Sequence, residues 1–207
     1  MFTGLIQDIG TIVSIRRGQN YATLAIRSCL ANEMSIGDSV AVNGVCLTIT
    51  RIENGVFYMD VVPQTMRMTG LGTLQISSKI NLERAMQAHS RFDGHVMSGH
   101  IDGTGRVASL RKEGNAVLIT ICPPSNLLKF MVLQGSIAVD GVSLTICNLS
   151  SGGFTVSIIP HTGLATTLLS VRAGQIVNLE TDILAKYAQK ALPAVAISRE
   201  FLIQHGF

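Results

Sequence analysis

Polar and apolar residues alternate along much of this chain, and the pattern runs through it twice. In the first half, residues 21–27 (YATLAIR) read as a half-buried strand, because side chains two apart share one face. Residues 2–15 carry β-branched residues punctuated by Asp8 and Gly10, which predicts two strand segments across a bend. A short helical turn or loop follows over 31–36. Gly37-Asp38 then turns the chain into a strand-like run over 39–49. Asn54-Gly55 predicts a hairpin, since both residue types tolerate positive φ. Residues 56–62 form the next strand, stopped by Pro63; 64–72 have helical character, and 79–83 (KINLE) are strand again.

The second half repeats this order. VNGVCLTIT, beginning at Val42, returns as VDGVSLTIC, beginning at Val139, 97 positions later. Met1-Phe2-Thr3-Gly4 is echoed by Val96-Met97-Ser98-Gly99, and Pro63-Gln64-Thr65 by Pro160-His161-Thr162. Asn81-Leu82-Glu83 is echoed by Asn178-Leu179-Glu180. Such self-similarity is the mark of a duplication, here spanning nearly the whole chain. About six short strands per copy, with frequent Gly, predict an all-β fold of two closed antiparallel barrels, because closure removes unpaired edges. The expected units are 1–96, 97–183 and a C-terminal helical segment, 184–207. Residues 84–93, rich in helix formers at their start, link the copies. In the tail, Ile183, Leu184, Tyr187, Ala188, Ala191 and Leu192 fall at helical spacing. Pro193 interrupts that helix, and Ile197, Phe201 and Leu202 predict a second short one. The tail has no counterpart in the first copy, so packing between subunits is expected.

Composition narrows the partners. The chain is 47% hydrophobic and only 14% charged, which points to surface buried between lobes or subunits. A net charge of +3, with Lys and Arg scattered, speaks against nucleic acid. No apolar run is long enough to cross a bilayer, and the N-terminus does not look like a signal peptide. Cys29, Cys46, Cys122 and Cys147 form no C-x-x-C pair, so a reduced, cytoplasmic protein is expected.

The candidate chemistry starts where the repeats differ. Cys46 of the first block corresponds to Ser143 of the second, and Thr48 and Thr145 follow two residues on, on the same strand face. A buried packing role is the ordinary reading of one such cysteine, but a thiol and a hydroxyl at matched positions suit polar contacts to a flat heterocycle, or a nucleophile. His95 and His100 flank Met97-Ser98-Gly99; their spacing and lack of a third ligand speak against a metal. His100 is the stronger candidate for hydrogen-bonding or general-base work, because its counterpart, Leu5, is apolar. His161 follows Pro160 where Gln64 follows Pro63, and His89 and His205 look like surface residues. Gly103-Thr104-Gly105 lacks the spacing of a dinucleotide fingerprint, so no nucleotide cofactor is signalled.

Together, MFTGLIQDIGTI, the VNGVCLTIT/VDGVSLTIC pair, the turns DVVPQT and SIIPHT, and the junction GHVMSGHID resemble the riboflavin synthase family of trimeric α-type enzymes. The resemblance covers essentially the whole chain. It implies two tandem six-stranded Greek-key barrels, a C-terminal helix holding a homotrimer, and possible association with a lumazine synthase capsid. The implied reaction is dismutation of two 6,7-dimethyl-8-ribityllumazine molecules into riboflavin and 5-amino-6-ribitylaminouracil. No external cofactor or metal is implied.

Carried over residue by residue, Gly4, Leu5 and Ile6 would line the N-lobe pocket with Cys46, Leu47, Thr48, Asp60, Val61, Val62, Pro63, Gln64 and Thr65. Gly99, His100 and Ile101 would line the C-lobe pocket with Ser143, Leu144, Thr145, Ser157, Ile158, Ile159, Pro160, His161 and Thr162. The resemblance places Ser143, Cys46, His100, Thr145 and Phe2 nearest the chemistry, with Asp182 as an inter-subunit partner. Ser143 and His100 are expected in proton handling or nucleophile activation, Cys46 and Phe2 in shaping the adjacent pocket. Gln134 stands where many relatives carry Lys, turning a cationic contact into an amide one. The competing reading is a non-enzymatic lumazine or flavin binder of the antenna type. An oxidoreductase flavin barrel would need a nucleotide-binding domain for which no chain remains.

Overall fold

The computed structural model describes residues 1–191. Six strands close the first barrel: β1 (Asp8–Arg17), β2 (Ala22–Arg27), β3 (Ser39–Val42), β4 (Val45–Glu53), β5 (Val56–Val61) and β6 (Lys79–Arg84). They run β1-β2-β5-β4-β3-β6 around the barrel, all pairs antiparallel, with β6 closing on β1. The second barrel repeats the order with β7 (Gly103–Glu113), β8 (Ala116–Cys122), β9 (Ser136–Val139), β10 (Val142–Ser150), β11 (Gly153–Ile158) and β12 (Ile176–Thr181). The skip from β2 to β5, and from β8 to β11, is the Greek-key connection. Short helices α1 (Pro63–Met68) and α3 (Pro160–Ala165) follow β5 and β11, each opening on a proline whose missing N–H costs nothing at a helix start. Helix α2 (Ser125–Leu128) lies between β8 and β9, and α4 (Ile183–Ala191) follows β12.

Each barrel is filled by the inward face of its strands: Ile12, Leu24, Ile26, Phe57 and Leu82 in the first, Val107, Ile121, Phe154, Val156 and Leu179 in the second. Matched bulges, after Ile12, Ile49, Val107 and Ile146, give the strands the bend that closure requires.

Several expectations change. Residues 2–15 do not form two strands. The first seven residues are an arm outside the strands, with an isolated bridge between Phe2 and Met97, and one bulged strand follows. The run over 39–49 is a hairpin, because Asn43 (φ 45°) and Gly44 (φ 81°) make a two-residue turn with both central φ angles positive. Asp140 (φ 45°) and Gly141 (φ 78°) do the same in the second repeat. The helix formers that begin the linker build no helix: Arg84 ends β6 and the chain to His95 is irregular. Leu192, Pro193 and the second tail helix with Ile197, Phe201 and Leu202 lie outside the described residues, as does His205.

The lobes meet tip to tip at these two turns. A methyl on Gly44 would stand 2.9 Å from the Gly141 nitrogen, so the close approach needs glycine at both tips. Beneath them, Phe2, Met97, Ala41 and Ala138 form a small buried cluster between the barrels.

Candidate active site

The strand face opposite the core decides which residues of the repeated block can meet a ligand. Val45, Leu47 and Ile49 point into the first barrel, whereas Cys46 is half-buried and Thr48 exposed. The second repeat matches this: Leu144 and Ile146 point inward, Ser143 is half-buried and Thr145 exposed. Leu47 and Leu144 therefore offer a ligand only their backbone. The same holds for Val61 and Ile158, both buried in the barrel cores. Val62 and Ile159, by contrast, stand exposed at the strand ends beside Gln64 and His161. Asp60 is exposed and accepts a hydrogen bond from the Thr23 hydroxyl at 2.8 Å through its Oδ1. Its counterpart, Ser157, sits with Thr120, Cys147 and Thr155 on the rim of a cleft of about 520 Å³.

The two glycine arms cross between lobes, which corrects the expected grouping. The Gly4 carbonyl accepts a 2.9 Å hydrogen bond from the Ser143 amide, so Gly4 docks on the second lobe's hairpin. Ile6 also packs on the second barrel's core. Reciprocally, the Gly99 carbonyl accepts from the Cys46 amide at 2.9 Å, and Ile101 packs on the first barrel. Each arm remains tethered to its own barrel by a buried carboxylate. Glu83 accepts from the Thr3 amide (2.7 Å), the Thr3 hydroxyl (2.8 Å) and the Gly4 amide (2.9 Å). Glu180 does the same for Ser98 and Gly99, at 2.7, 2.6 and 3.0 Å. Burial pushes the Glu83 carboxyl up, against the opposing pull of the Thr3 and Gly4 donors.

The crossing changes the histidines' partners. His100 is exposed and travels with Gly99 to the Cys46 side. His95 is buried, and its Nδ1 lies 2.7 Å from the Ser143 Oγ. The imidazole next to Ser143 is thus His95, not His100. Burial lowers the His95 pKa below 6.5, partly opposed by the carboxylates of Asp182 and Glu180. The Phe2 ring is fully buried in the interlobe cluster beneath Gly99, a place from which it shapes the adjacent pocket through its packing. Asp182 caps α4, accepting from the Leu184 amide at 2.9 Å. Gln134 occupies an exposed turn with φ 63° and donates its amide to Ile146.

A cleft of about 600 Å³ opens beside Leu5 and Ile6, between the first arm, Glu33, Arg84 and the linker. Ser143 and Cys46 are not among its lining residues. Among the described residues, no cluster of His, Cys, Asp and Glu is assembled for a metal ion, and no helix is long and apolar enough to cross a membrane.

Comparison with known proteins also divides the chain into two like halves. The lumazine binding domain family matches residues 3–85 and again 98–182. Riboflavin synthase of Actinobacillus pleuropneumoniae is 42% identical, with all of both chains covered. Riboflavin synthase of Bacillus subtilis (strain 168) is 41% identical over the same full span. This chain belongs to the riboflavin synthase family. The crystal structure of LumP complexed with 6,7-dimethyl-8-(1'-D-ribityl) lumazine superposes with a TM-score of 0.80 at 26% identity, covering 87% of this chain and 99% of LumP. LumP complexed with riboflavin superposes at 0.82, with the same identity and coverage.

Within the riboflavin synthase fold, His95 is the residue that sequence reasoning passed over. Gly94 before it is pressed against the first arm, where a side chain would run into the Thr3 carbonyl, a contact visible only in the fold.

Proposed function

We propose that this chain is a riboflavin synthase, catalysing the dismutation of two 6,7-dimethyl-8-ribityllumazine molecules. A four-carbon unit passes from one to the other, giving riboflavin and 5-amino-6-(D-ribitylamino)uracil. The observation that carries the reading is the pair of matched hairpins, each with a half-buried nucleophilic residue and an exposed threonine two residues on: Cys46 and Thr48, Ser143 and Thr145. Donor and acceptor begin as the same compound, so two related pockets suit them. The two substrates together hold every atom and electron of the two products, and no external oxidant is required.

The N-lobe pocket is read as Cys46, Thr48, Asp60 and the 62–65 turn, completed by Gly99, His100 and Ile101 from the crossed arm. The C-lobe pocket is read as Ser143, Thr145, Ser157 and the 159–162 turn, completed by Gly4, Leu5 and Ile6, with Gln134 near β10. Backbone amides and carbonyls suit the pyrimidinedione edge, and the Thr and Asp side chains the ribityl hydroxyls. The chemistry requires a 7-methyl group of one lumazine to lose a proton and C7 of the other to be attacked. Holding the rings face to face supplies much of the acceleration.

Cys46 and Ser143 of one chain are walled apart by Phe2 and Met97, which bridge each other and touch Gly99 and Gly4 respectively. Face-to-face rings therefore call for the N-lobe of one chain and the C-lobe of another, which supports the homotrimer reading. Helix α4 fits the same reading: Leu184 and Tyr187 on it are exposed, an apolar face suited to a neighbouring copy, and residues 184–207 are read as the oligomerisation segment. Cytoplasmic location and association with a lumazine synthase capsid are further parts of this reading.

Purified protein incubated with the lumazine alone tests it. Riboflavin absorbance should rise with two lumazines consumed per riboflavin formed. Tight binding without riboflavin would leave a pigment-binding protein instead.

A further inference from the structure

The two crossed arms end differently. Gln7 and Asp102 hold matched positions just past Ile6 and Ile101, and each donates its backbone amide to its own barrel: Gln7 to the Leu82 carbonyl at 2.8 Å, Asp102 to the Leu179 carbonyl at 2.9 Å. The Gln7 Oε1 then accepts from the Arg84 amide and Nε, both at 3.1 Å. In the second arm the Asp102 carboxylate accepts from the Thr181 amide and hydroxyl, both at 2.8 Å. Asp102 does one thing more, since its carboxylate also binds the Lys186 ammonium at 2.7 Å. Lys186 lies on α4, an element with no counterpart after the first barrel, so a carboxylate replaces the amide where there is a helix to hold.

No residue of α4 is buried, and Lys186 makes its one side-chain hydrogen bond to the barrel among the described residues. The Lys186 and Asp102 side chains are 23% and 21% exposed, against 34 to 68% for the other three ion pairs among the described residues, so water screens this pair least. On the other side of Asp102 lies the arm. Glu180 pins its start at Ser98 and Gly99, and Asp102 pins its end. His100 and Ile101, between the pins, make no hydrogen bond of their own among the described residues. Their place on the first lobe rests on Ile101 packing, on the bond from the Cys46 amide to Gly99, and on the two pins.

We propose that Asp102 is a positioning residue for the N-lobe pocket: by binding Lys186 it couples the seating of α4 to the docking of residues 99–101 on the first lobe. The inference rests on the reading above, in which those residues complete the N-lobe lumazine site. With the pair formed, the end of the arm is clamped between β12 and α4. Without the ammonium, the Asp102 carboxylate is free to turn toward water and the end of the arm loosens. Each opening lifts Ile101 from the first barrel and parts Gly99 from Cys46. A lumazine that needs the closed arm then binds with an affinity reduced by the fraction that is open. The first arm ends on Gln7 and Arg84 with no link to α4, so the Ser143 side is left unchanged. The coupling is one-sided.

Amide hydrogen exchange on the full-length protein reads both arms at once, because the Cys46 amide donates to Gly99 and the Ser143 amide to Gly4. Wild type, K186M, K186R and D102N are compared, with riboflavin formation from the lumazine followed on the same samples. K186M and D102N should speed exchange at Cys46 about tenfold and leave Ser143 within about twofold, while K186R stays close to wild type. K186M should also raise the lumazine KM about fivefold with kcat within about threefold. Unchanged Cys46 exchange in both variants would overturn the coupling. So would equal loosening at Cys46 and Ser143, the mark of general destabilisation. A fall in kcat at constant KM would contradict a positioning role. If wild type makes no riboflavin the dismutase reading falls, and exchange at Cys46 still decides whether α4 holds the arm.

Discussion

Asn81 and Asn178, matched residues of the two repeats, each reach across to the other lobe's turn. The Asn81 side chain donates to the Asp140 carbonyl at 2.9 Å and accepts from the Thr167 amide at 2.8 Å. The Asn178 side chain donates to the Asn43 carbonyl at 2.8 Å and accepts from the Gly70 amide at 2.7 Å. Both asparagines are buried, so each bond is made away from competing water. The result is a two-way clasp that fixes the angle between the barrels, and hence where each crossed arm lands.

Replacing either asparagine by alanine leaves a buried carbonyl and amide unpaired. Each single change should cost about 1–3 kcal/mol in thermal or denaturant unfolding. A loss indistinguishable from zero in both variants would mean the lobes do not depend on the clasp.

Asp140 carries a pH dependence that its counterpart Asn43 cannot. Burial pushes its carboxyl up to about 7, only partly opposed by the hydrogen bond it accepts from the Asn178 amide. A folded pKa above the unfolded value means the folded state holds the proton more tightly. Its contribution is fully present below about 3.8 and is lost as pH rises through about 7. D140N, which copies the first lobe's residue, should flatten the stability–pH curve over that window. A D140N curve that falls as steeply as wild type would contradict this.

Histidine 95 has the opposite sign. Its folded pKa lies below 6.5, so the unfolded chain binds the proton first as pH falls, and stability drops on acidification through and below 6.5. H95N unfolding should lack this acid-side loss, which chemical denaturation at a series of pH values reads directly.

Gly99 lies at φ +77°, and a methyl there would stand 2.6 Å from the Cys46 Cβ and 2.9 Å from the Phe2 ring. G99A should therefore lose both stability and lumazine binding at the N-lobe. Among the described residues no histidine is bonded to Cys46, and C46S should keep riboflavin formation within about threefold. A larger loss in C46S would point to a covalent role for the thiol.

Much of the fold was legible because a half-buried strand declares its inward face by alternation. Leu47 and Leu144 were bound to turn inward if Cys46 and Ser143 turned out. The Asn43-Gly44 turn carried a hairpin signal, but the valines on both sides kept the run apolar and hid the break. The crossing of the arms was not legible. Alternation says which face a side chain takes, not which barrel an aperiodic segment docks on. The repeat comparison therefore favoured His100, and only the position of Ser143, on a strand 48 residues from His95, shows that the buried His95 is the one beside it. The linker beginning at Arg84 offered helix formers without an apolar stripe, and propensity alone does not hold so short a helix.

Subunit mixing is the most direct test of two lobes on different chains sharing one reaction. One variant carries a disabled C-lobe, S143A, and the other a disabled N-lobe, G99A. Each is assayed alone, then after the two are unfolded together and refolded. If the working site joins the N-lobe of one chain to the C-lobe of another, the mixture regains riboflavin formation that neither variant has alone. A mixture as inactive as its parts, in mixed assemblies verified by mass, would contradict the shared site and return the chemistry to a single chain.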